Sequence, residues 1–428
     1  MCTMFSIGKK VIVLLILTLL FLFPRLPLYS QNRASTGRFG DDIILKIAVI
    51  GPGDELYFWW GHIGLVVEDK ISGDARFYDW GVFSFENENF FVNFAFGRLL
   101  YSCMASRAES NYNSYINTNR DITLYTLDLP ADKKEAILRL AETNMLPENR
   151  DYMYHHFRDN CATKIRDILD AALDGDLKAK FGDAPGRFTF REHVSRHTWF
   201  NPFFHWSLGF WMGQGIDRPI TEWDDMFLPS EIALRISDYN YTWPDGRERP
   251  LVSSVEILNT SHKRPIVLDT PRSAWFGGLL ISLLLSELVA LFYLLYGRKN
   301  GFRIFFGAFQ SFLGLFFGIA GSMLFFMAIF TDHDYTYNNS NLFFVNPLFL
   351  AIVPVGLVFA LSWDERKISC ATSLLKGFWV ITLLGGLLTM VIKLLPDFYQ
   401  QNQLTQALIM PLAIVIFIIL KKIGKKYS

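Results

Sequence analysis

Apolar residues are distributed unevenly along the 428-residue chain, and the first cluster of them lies close to the N-terminus. Residues 11–23, apolar except for one Thr, follow Lys9 and Lys10 and end at Pro24. A run of this length after a basic start is short for a membrane span and typical of a secretory signal. We therefore predict that residues 1–30 are a signal peptide or an uncleaved signal anchor, and that the following segment is exported.

The last third of the chain contains five apolar stretches, each close to the roughly 20 residues that cross a bilayer. They lie at about 275–296, 304–330, 342–362, 373–395 and 405–420. Lys and Arg occur in the first and third connecting loops and in the C-terminal tail, whereas the second and fourth loops carry Asp and neither cation. By the positive-inside rule, the C-terminus is cytoplasmic and the preceding segment is outside. We predict a five-helix membrane domain at 273–428, with Glu287 as an intramembrane carboxylate of functional or structural role.

The intervening segment, residues 31–272, has shorter periods and is long enough to bury its own core. Apolar runs and period-2 alternation predict strands, and a 3.6-residue period predicts helices. The predicted strands are 43–50, 61–68, 76–85 and 122–129, and the predicted helices are 131–144 and 161–173. Beyond about residue 180 the sequence is rich in aromatic residues, and we predict mainly loops. The fold class is therefore an α+β exported domain followed by an all-α transmembrane domain.

Composition narrows the classes of function. The chain is 51% hydrophobic and 16% aromatic, and its charged fraction of 19% is below the roughly 25% of an ordinary soluble domain. We therefore expect neither disorder nor a nucleic-acid partner. The formal net charge of zero divides into +3 for residues 1–30, −8 for residues 31–272 and +5 for residues 273–428. The charge is thus partitioned in the way that the predicted topology requires.

Only two of the four cysteines, Cys103 and Cys161, fall in the predicted exported domain. A disulfide between them is the ordinary expectation in an oxidising compartment. Cys161, however, directly follows Asn160, a favoured N-cap residue, and so begins a predicted helix. Unpaired N–H groups and the positive end of the helix dipole favour a thiolate there. We therefore interpret Cys161 as a nucleophile and Cys103 as a packing residue.

A thiolate nucleophile needs a positioned base, which is usually a histidine. His62 begins a predicted strand and is enclosed by two glycines that allow close approach of a substrate or another backbone. His155 and His156 lie in a predicted loop just before the nucleophile. Because an isolated histidine at a strand end is usually an ordinary surface residue, the interpretation of His62 as the base depends on its combination with Cys161.

The pairing of the strand start Gly61-His62-Ile63-Gly64 with the later helix start Asn160-Cys161 is similar to the circularly permuted papain-like cysteine enzymes, of which lecithin:retinol acyltransferase is the familiar type. In those enzymes the histidine precedes the cysteine in the chain, the reverse of the papain order. Further motifs resemble the exported domain of the Lnb-type bacterial lipoprotein N-acyltransferases. These motifs are Gly51-Pro52-Gly53-Asp54-Glu55-Leu56, Tyr78-Asp79-Trp80-Gly81-Val82-Phe83-Ser84-Phe85, Asp159-Asn160-Cys161-Ala162-Thr163-Lys164-Ile165-Arg166-Asp167 and Trp223-Asp224-Asp225-Met226-Phe227-Leu228-Pro229. The five-span tail, with His333, Asn341 and Asn346-Pro347 in its second loop, is similar too.

The resemblance implies roles for individual residues. Cys161 matches the family nucleophile and His62 its base. Asp79 matches the third residue, which orients the imidazole, although a plain strand-end residue is the alternative. The oxyanion hole would be the backbone N–H of Cys161 with the side chain of Asn160, which is equally explained as an N-cap.

Three further residues in the resembling motifs are candidates for contacts with the substrate. Glu55 precedes the histidine strand, Tyr78 lies beside Asp79, and His333 lies in the second loop of the membrane domain.

The implied reaction moves an acyl chain from a phospholipid to the α-amino group of a diacylglyceryl-cysteine lipoprotein through a thioester on Cys161, with no metal or other cofactor. The implied location is the bacterial inner membrane, with the catalytic domain on the periplasmic side. Two other classes of function stay open. One is an exported cysteine amidase or peptidase acting on cell-wall peptides, and the other is a non-catalytic membrane scaffold.

Overall fold

The computed structural model describes residues 39–83 and 89–427. The predicted signal segment, residues 1–30, lies outside these ranges. So do residues 84–88, which include the end of the third predicted strand.

An antiparallel sheet of seven strands is the framework of the N-terminal domain. The strands of the domain are β1 (Ile43–Ile50), β2 (His62–Asp69), β3 (Ala75–Val82), β4 (Leu99–Arg107), β5 (Ile122–Leu127), β6 (Asp151–Tyr154), β7 (Asn240–Thr242), β8 (Glu248–Pro250) and β9 (Val252–Asn259). The strand order in the sheet is β6-β4-β3-β2-β1-β5-β9, and β7 and β8 form a separate hairpin. Strands β2 and β3, which carry His62 and Asp79, lie in the middle of this order.

Helices cover both faces of the sheet. They are α1 (Phe90–Ala95), α2 (Ala108–Asn117), α3 (Ala131–Asn144), α4 (Cys161–Ala172), α5 (Asp176–Phe181), α6 (Phe190–Thr198), α7 (Pro202–Trp211), α8 (Glu222–Asp225) and α9 (Pro229–Ser237). Helix α4 packs against β2 and β3. The helical spacing of its buried Ile165 and Leu169 creates the apolar side that joins Ile63 and Leu65 of β2 in one core. Burial of each such side chain contributes about 1.5–3 kcal/mol to folding.

The predicted elements around the candidate site agree closely with the structure. Strand β1 and helix α3 have the predicted bounds, and β2, β5 and α4 differ from prediction by one or two residues at an end. Strands β4, β6 and β9 were not predicted. Strand β9 lies at the sheet edge with Val255 and Ile257 exposed, so it lacks the alternation of burial by which a half-buried strand is recognised.

The prediction of loops beyond residue 180 is wrong. Helices α6, α7 and α9 lie there, each nine or ten residues long. Helices this short give few repeats of the 3.6-residue period, and the density of aromatic residues in α7 hides its polar side.

Five helical segments long and apolar enough to cross a membrane follow, as the sequence predicts. They are Trp275–Tyr296, Asn300–Phe330, Ser340–Leu361, Glu365–Ile392 and Gln403–Lys425. We label the corresponding α-helices α10 (Trp275–Tyr296), α11 (Asn300–Phe330), α12 (Ile352–Leu361), α13 (Glu365–Ile392) and α14 (Gln403–Tyr427). Glu287 is exposed on α10.

Small residues bring the second and third spans together. A Cβ atom at Gly307 of α11 would lie 2.6 Å from the carbonyl oxygen of Gly356, and one at Gly321 would lie 2.5 Å from the backbone of Asn346. Only glycine allows this approach of two helix backbones, which is how helices without a hydrophobic driving force associate in lipid.

Buried polar contacts fix the N-terminal domain on the membrane loops. The Asn339 side chain donates to the carbonyl of Phe210 at 2.8 Å, and that of Gln400 donates to the carbonyl of Met212 at 3.1 Å. The backbone N–H of Gln401 donates to Asp217 at 3.2 Å. Because buried hydrogen bonds are costly to break, the orientation of the two domains is determined by these loops.

Candidate active site

His62 and Asp79 form a direct pair on adjacent strands. His62 is the first residue of β2 and Asp79 lies on β3, and the imidazole Nε2 is 2.9 Å from Oδ1 of Asp79. The same carboxylate oxygen accepts the backbone N–H of Gly81 at 2.6 Å. With Nε2 held by the carboxylate, Nδ1 is the ring nitrogen that can exchange a proton with another group.

The electrostatics of this pair favour its charged form. Burial of the ring alone would lower the pKa of His62, but the carboxylate of Asp79, with smaller contributions from Tyr115 and Cys161, raises that pKa well above its ordinary value. Burial alone would raise the pKa of Asp79, but the imidazolium and the hydrogen bonds from His62 and Gly81 lower it. The two shifts agree on an imidazolium–carboxylate pair.

Gly81 allows the imidazole to take this position. A Cβ atom there would lie 2.6 Å from Cε1 of His62 and 3.1 Å from Oδ1 of Asp79. Such contacts are shorter than van der Waals separation, so any larger residue at position 81 displaces the ring. The strand therefore needs glycine beside the histidine, a requirement that the sequence alone did not reveal.

Cys161 is the first residue of α4, and Asn160 caps that helix. The Asn160 Oδ1 accepts the N–H groups of Ala162 and Thr163, each at 2.9 Å, and the Thr163 hydroxyl accepts the N–H of Asn160 at 2.7 Å. This reciprocal capping box fixes the helix start at the cysteine. Cys161 is 9% exposed.

The side-chain amide of Asn160 is fully used within the protein. Its Nδ2 donates to the carbonyls of His156 at 2.8 Å and Phe227 at 3.0 Å. Of the two interpretations of Asn160, the structure therefore bears out the N-cap. Its two amide hydrogens are not available to an oxyanion. Asn160 also accepts the N–H groups of Ala162 and Thr163, which leaves the backbone N–H of Cys161 as the candidate donor at the start of α4.

Cys161 lies within electrostatic range of the histidine. Cys161 is among the groups whose charge contributes to the raised pKa of His62 and that of Tyr115. Helix α4, which begins at Cys161, and strand β2, which begins at His62, are in contact. The structure thus brings the predicted nucleophile and the predicted pair to one end of the sheet.

Cys103 and Cys161 are both free thiols in the structure. Cys103 lies on β4, is 3% exposed and belongs to the apolar core. Burial raises the pKa of the Cys103 thiol to about 12, with the charges of Asp79 and Glu142 adding to the rise. Such a thiol stays protonated and inert, which agrees with the prediction that Cys103 is a packing residue.

Arg120 was missed by sequence reasoning and lies close behind the pair. It is 1% exposed, its Nε donates to the carbonyl of Gly51 at 2.9 Å, and its guanidinium lies 4.5 Å from the ring centroid of Phe58 and 5.2 Å from that of Tyr115. Its positive charge helps to lower the pKa of Asp79. No local pattern marks this arginine, since arginine is normally a surface residue.

Of the three candidate contact residues, Tyr78 and His333 have bonding partners within the protein, and Glu55 is exposed. Tyr78 is 1% exposed and its hydroxyl donates to Glu142 of α3, so it is a core residue and the substrate-binding interpretation is wrong. The reason is strand alternation, which directs Tyr78 and Asp79 to opposite faces of β3. Glu55 is exposed at the start of a short 3-10 turn. Its charge offsets part of the lowering of the Arg120 pKa by burial.

His333 reaches the N-terminal domain, but at its surface helix α1. Its Nε2 bonds the carbonyl of Phe94 at 3.0 Å, and its Nδ1 accepts the hydroxyl of Tyr335 at 2.8 Å. Burial lowers the pKa of His333. Both ring nitrogens are engaged within the protein, so His333 has the geometry of a docking residue.

Asp334 of the same loop contacts the turn that leads into α4. Its Oδ1 is 2.8 Å from Nε2 of His155, and its Oδ2 is 2.9 Å from a guanidinium nitrogen of Arg158. His155 and Arg158 belong to the turn that leads into α4. The membrane domain thus contacts the segment that positions Cys161, a relation that the sequence did not predict.

Comparisons with known proteins agree with this architecture. The model of the Lnb N-terminal periplasmic domain matches residues 42–196, and that of the Lnb transmembrane domain matches residues 271–423. No curated protein and no solved structure matches the chain. Together the two family models cover well over half of the chain, in the order in which the α+β domain and the five apolar helices occur. The chain therefore belongs to the Lnb family and is a membrane protein with an exported N-terminal domain.

Proposed function

We propose that this protein is a lipoprotein N-acyltransferase that uses Cys161 as nucleophile, His62 as general base and acid, and Asp79 to orient the imidazole. Membership of the Lnb family supports a role in lipoprotein maturation. The observation that carries the chemical assignment is the direct His62–Asp79 pair within electrostatic range of a cysteine at a capped helix start. A nucleophile, a base and a residue that orients the base are the parts of a cysteine-dependent acyl-transfer site.

In the first half-reaction, the thiolate of Cys161 attacks an ester carbonyl of a phospholipid. A C–S bond forms, and the negative charge on the carbonyl oxygen is stabilised by the backbone N–H of Cys161. The C–O bond to glycerol then breaks, and the imidazolium of His62 gives its proton to the departing oxygen. A lysophospholipid leaves, and the acyl chain stays on the cysteine as a thioester.

In the second half-reaction, the acceptor is the α-amino group of a diacylglyceryl-cysteine lipoprotein. An α-amino group has a pKa of about 8, so part of it is neutral and nucleophilic at pH 7. The amine attacks the thioester, His62 takes its proton, and the C–S bond breaks to give an amide and the free thiolate. The proton then on His62 is the one that it gives up in the next cycle.

The domain arrangement supports a lipid substrate. We propose that residues 31–272 form the exported catalytic domain, that residues 273–428 form the membrane domain with a cytoplasmic C-terminus, and that residues 1–30 direct export. The protein would then work at the outer surface of the inner membrane, where both substrates are anchored. Five spans hold the site at a surface across which these substrates diffuse.

The proposal is tested by mass spectrometry of lipoprotein N-termini. Cells with the intact protein, without it, and with Cys161→Ala are compared, and Cys103→Ala is the matched control. We expect the N-acyl chain to be present with the intact protein and with Cys103→Ala, and absent from the other two strains.

Each alternative has its own result in the same strains. An N-acyl chain that persists in both the deletion strain and the Cys161→Ala strain overturns the acyltransferase. Changed cell-wall peptides in those strains indicate the amidase. A normal N-acyl chain in Cys161→Ala cells, together with its loss in the deletion strain, indicates the scaffold.

A further inference from the structure

The short helix α1 exposes an apolar surface that the rest of the described chain leaves uncovered. Phe91, Val92 and Phe94 are 72%, 56% and 50% exposed. Three large apolar side chains together on one short helix are unusual on a water-facing surface and mark an interaction site. Phe90, at the start of the same helix, packs against Phe83 with ring centroids 6.1 Å apart and against Phe94 with centroids 6.2 Å apart.

Helix α1 lies beside the outer end of the second membrane span. The ring of Phe96, one residue after α1, is 5.6 Å from that of Phe326 on α11. The backbone N–H of Asp332, just beyond the end of α11, donates to the carbonyl of Phe96 at 2.8 Å. Ile329 and Phe330, in the last turn of α11, are 59% and 58% exposed. The exposed face of α1 therefore adjoins the lipid-facing surface of a membrane helix.

A row of aromatic rings connects α1 with the surroundings of Cys161. Phe83 packs against Tyr101 with centroids 4.9 Å apart, and Tyr101 stacks on Tyr154 at 4.2 Å. The ring of Tyr154 lies 5.4 Å from that of His156, and the carbonyl of His156 accepts a hydrogen bond at 2.8 Å from Asn160, the residue before Cys161. Aromatic side chains present a large apolar surface, so a row of them can line a path for an acyl chain.

We propose that α1 inserts Phe91, Val92 and Phe94 into the outer leaflet of the bilayer, and that the row Phe90, Phe83, Tyr101 and Tyr154 binds the acyl chain of a leaflet lipid beside Cys161. The ligand is a phospholipid acyl chain, and its source is the adjoining bilayer. This inference rests on the proposed function for the fate of the lipid, whereas the insertion of α1 stands on its own.

Insertion is tested by the depth of a spin label in the full-length protein in phospholipid nanodiscs. The label is placed by Phe91→Cys in a chain whose native cysteines are replaced by serine. Ile71→Cys, on the turn between β2 and β3 at 65% exposure, is the water-facing control, and Ile319→Cys, on α11 at 49% exposure, is the lipid-facing control. We expect the label at 91 to be relaxed by oxygen and protected from a water-soluble nickel chelate, as at 319. A nickel accessibility at position 91 equal to that at position 71 overturns the insertion. That result would also be obtained if α1 were a docking site for a soluble peptide.

The acyl path is tested by intact-mass measurement of the Cys161 thioester formed from bilayer phospholipid. We expect Phe83→Ala/Phe90→Ala, which removes two rings of the row, to slow thioester formation at least tenfold and Ile71→Ser to leave it within twofold. Alkylation of Cys161 by iodoacetamide checks that the site of the double variant is intact. Equal thioester rates in the double variant and the wild type overturn the path. An absence of thioester in the wild type overturns the proposed function instead, while the spin-label result still decides whether α1 inserts.

Discussion

Asp334, in the loop after the second membrane span, accepts a hydrogen bond from Nε2 of His155 at 2.8 Å. The Nδ1 of the same imidazole accepts the backbone N–H groups of Phe157 and Arg158, each at 3.1 Å, so the network assigns the neutral tautomer with the proton on Nε2. His155 thereby closes the turn that leads into α4 and also anchors it to the membrane domain. We therefore expect the position of Cys161 to depend on both His155 and Asp334.

We expect Asp334→Ala to slow acylation of Cys161 about tenfold or more without unfolding the protein. The substitution releases His155 and Arg158 together, and a displacement of about 1 Å at a reacting group can cost a hundredfold in rate. Intact-mass measurement of the thioester gives the rate. Asp332→Ala is the matched control in the same loop. Asp332 forms an ion pair with Arg98 in which the two side chains are 62% and 60% exposed, and such exposed pairs contribute about 0–1 kcal/mol. Similar rates in the two variants would contradict the anchoring role.

Gly81→Ala should impair the site far more than the fold. The added Cβ would lie 2.6 Å from Cε1 of His62, so the imidazole must leave its position against Asp79. We expect at least a tenfold loss of acylation rate, with a destabilisation of about 1–3 kcal/mol from overpacking, measured by thermal unfolding. Gly215→Ala is the control, since a Cβ there has no atom within 4 Å. Full activity of Gly81→Ala would show that the ring need not stay where the structure has it.

The parts of the site that local sequence patterns describe were predictable. Asn160 before an apolar 3.6-residue period marks the start of α4, and alternation places His62 and Asp79 on neighbouring strands. The contacts of Asp334 and Arg120 were not predictable, because they join residues far apart in the chain and leave no local period. The error for Tyr78 has the opposite cause. A motif groups Tyr78 and Asp79 as neighbours, whereas a strand sends them to opposite faces.

The His62–Asp79 pair should make stability depend on pH in a defined direction. The pKa of His62 is raised, so its contribution is complete below about pH 6.5 and is lost as the pH rises through the raised value. The pKa of Asp79 is lowered, so its contribution is present above about pH 4 and is lost as the pH falls through the lowered value. The pair therefore stabilises the fold most between about pH 4 and 6.5.

Asp79→Asn should accordingly lower the melting temperature more at pH 5.5 than at an alkaline pH above the raised pKa of His62. The neutral amide no longer favours the imidazolium, and the wild-type pair loses that advantage as the pH rises through the raised pKa. Thermal unfolding of both proteins at the two pH values measures the difference. Asp74→Asn, at an exposed turn before β3, should show no such dependence. A melting-temperature difference that grows with pH would reverse the sign assigned to the pair.

Asn160→Ala should destabilise α4 and also change the accessibility of Cys161. It removes the cap bonds to Ala162 and Thr163, worth about 1 kcal/mol, and leaves the carbonyl of Phe227 without its buried donor, at about 1–3 kcal/mol. We expect a lower melting temperature and altered alkylation of Cys161 by iodoacetamide, because the first turn of the helix is no longer fixed.

Asn201→Ala separates the loss of a cap from the loss of this site. Asn201 caps α7 through one bond to the N–H of Phe204, at 3.2 Å, so its removal should cost about 1 kcal/mol and leave the alkylation rate of Cys161 unchanged. Asn160→Asp refines the comparison, since a carboxylate keeps the acceptor for Ala162 and Thr163 but cannot donate to Phe227. If the hydrogen bonds that the Asn160 side-chain amide donates to His156 and Phe227 hold the first turn of α4 in place, Asn160→Asp should resemble Asn160→Ala in the alkylation rate of Cys161. An alkylation rate like that of the wild type would assign the effect of Asn160 to capping alone.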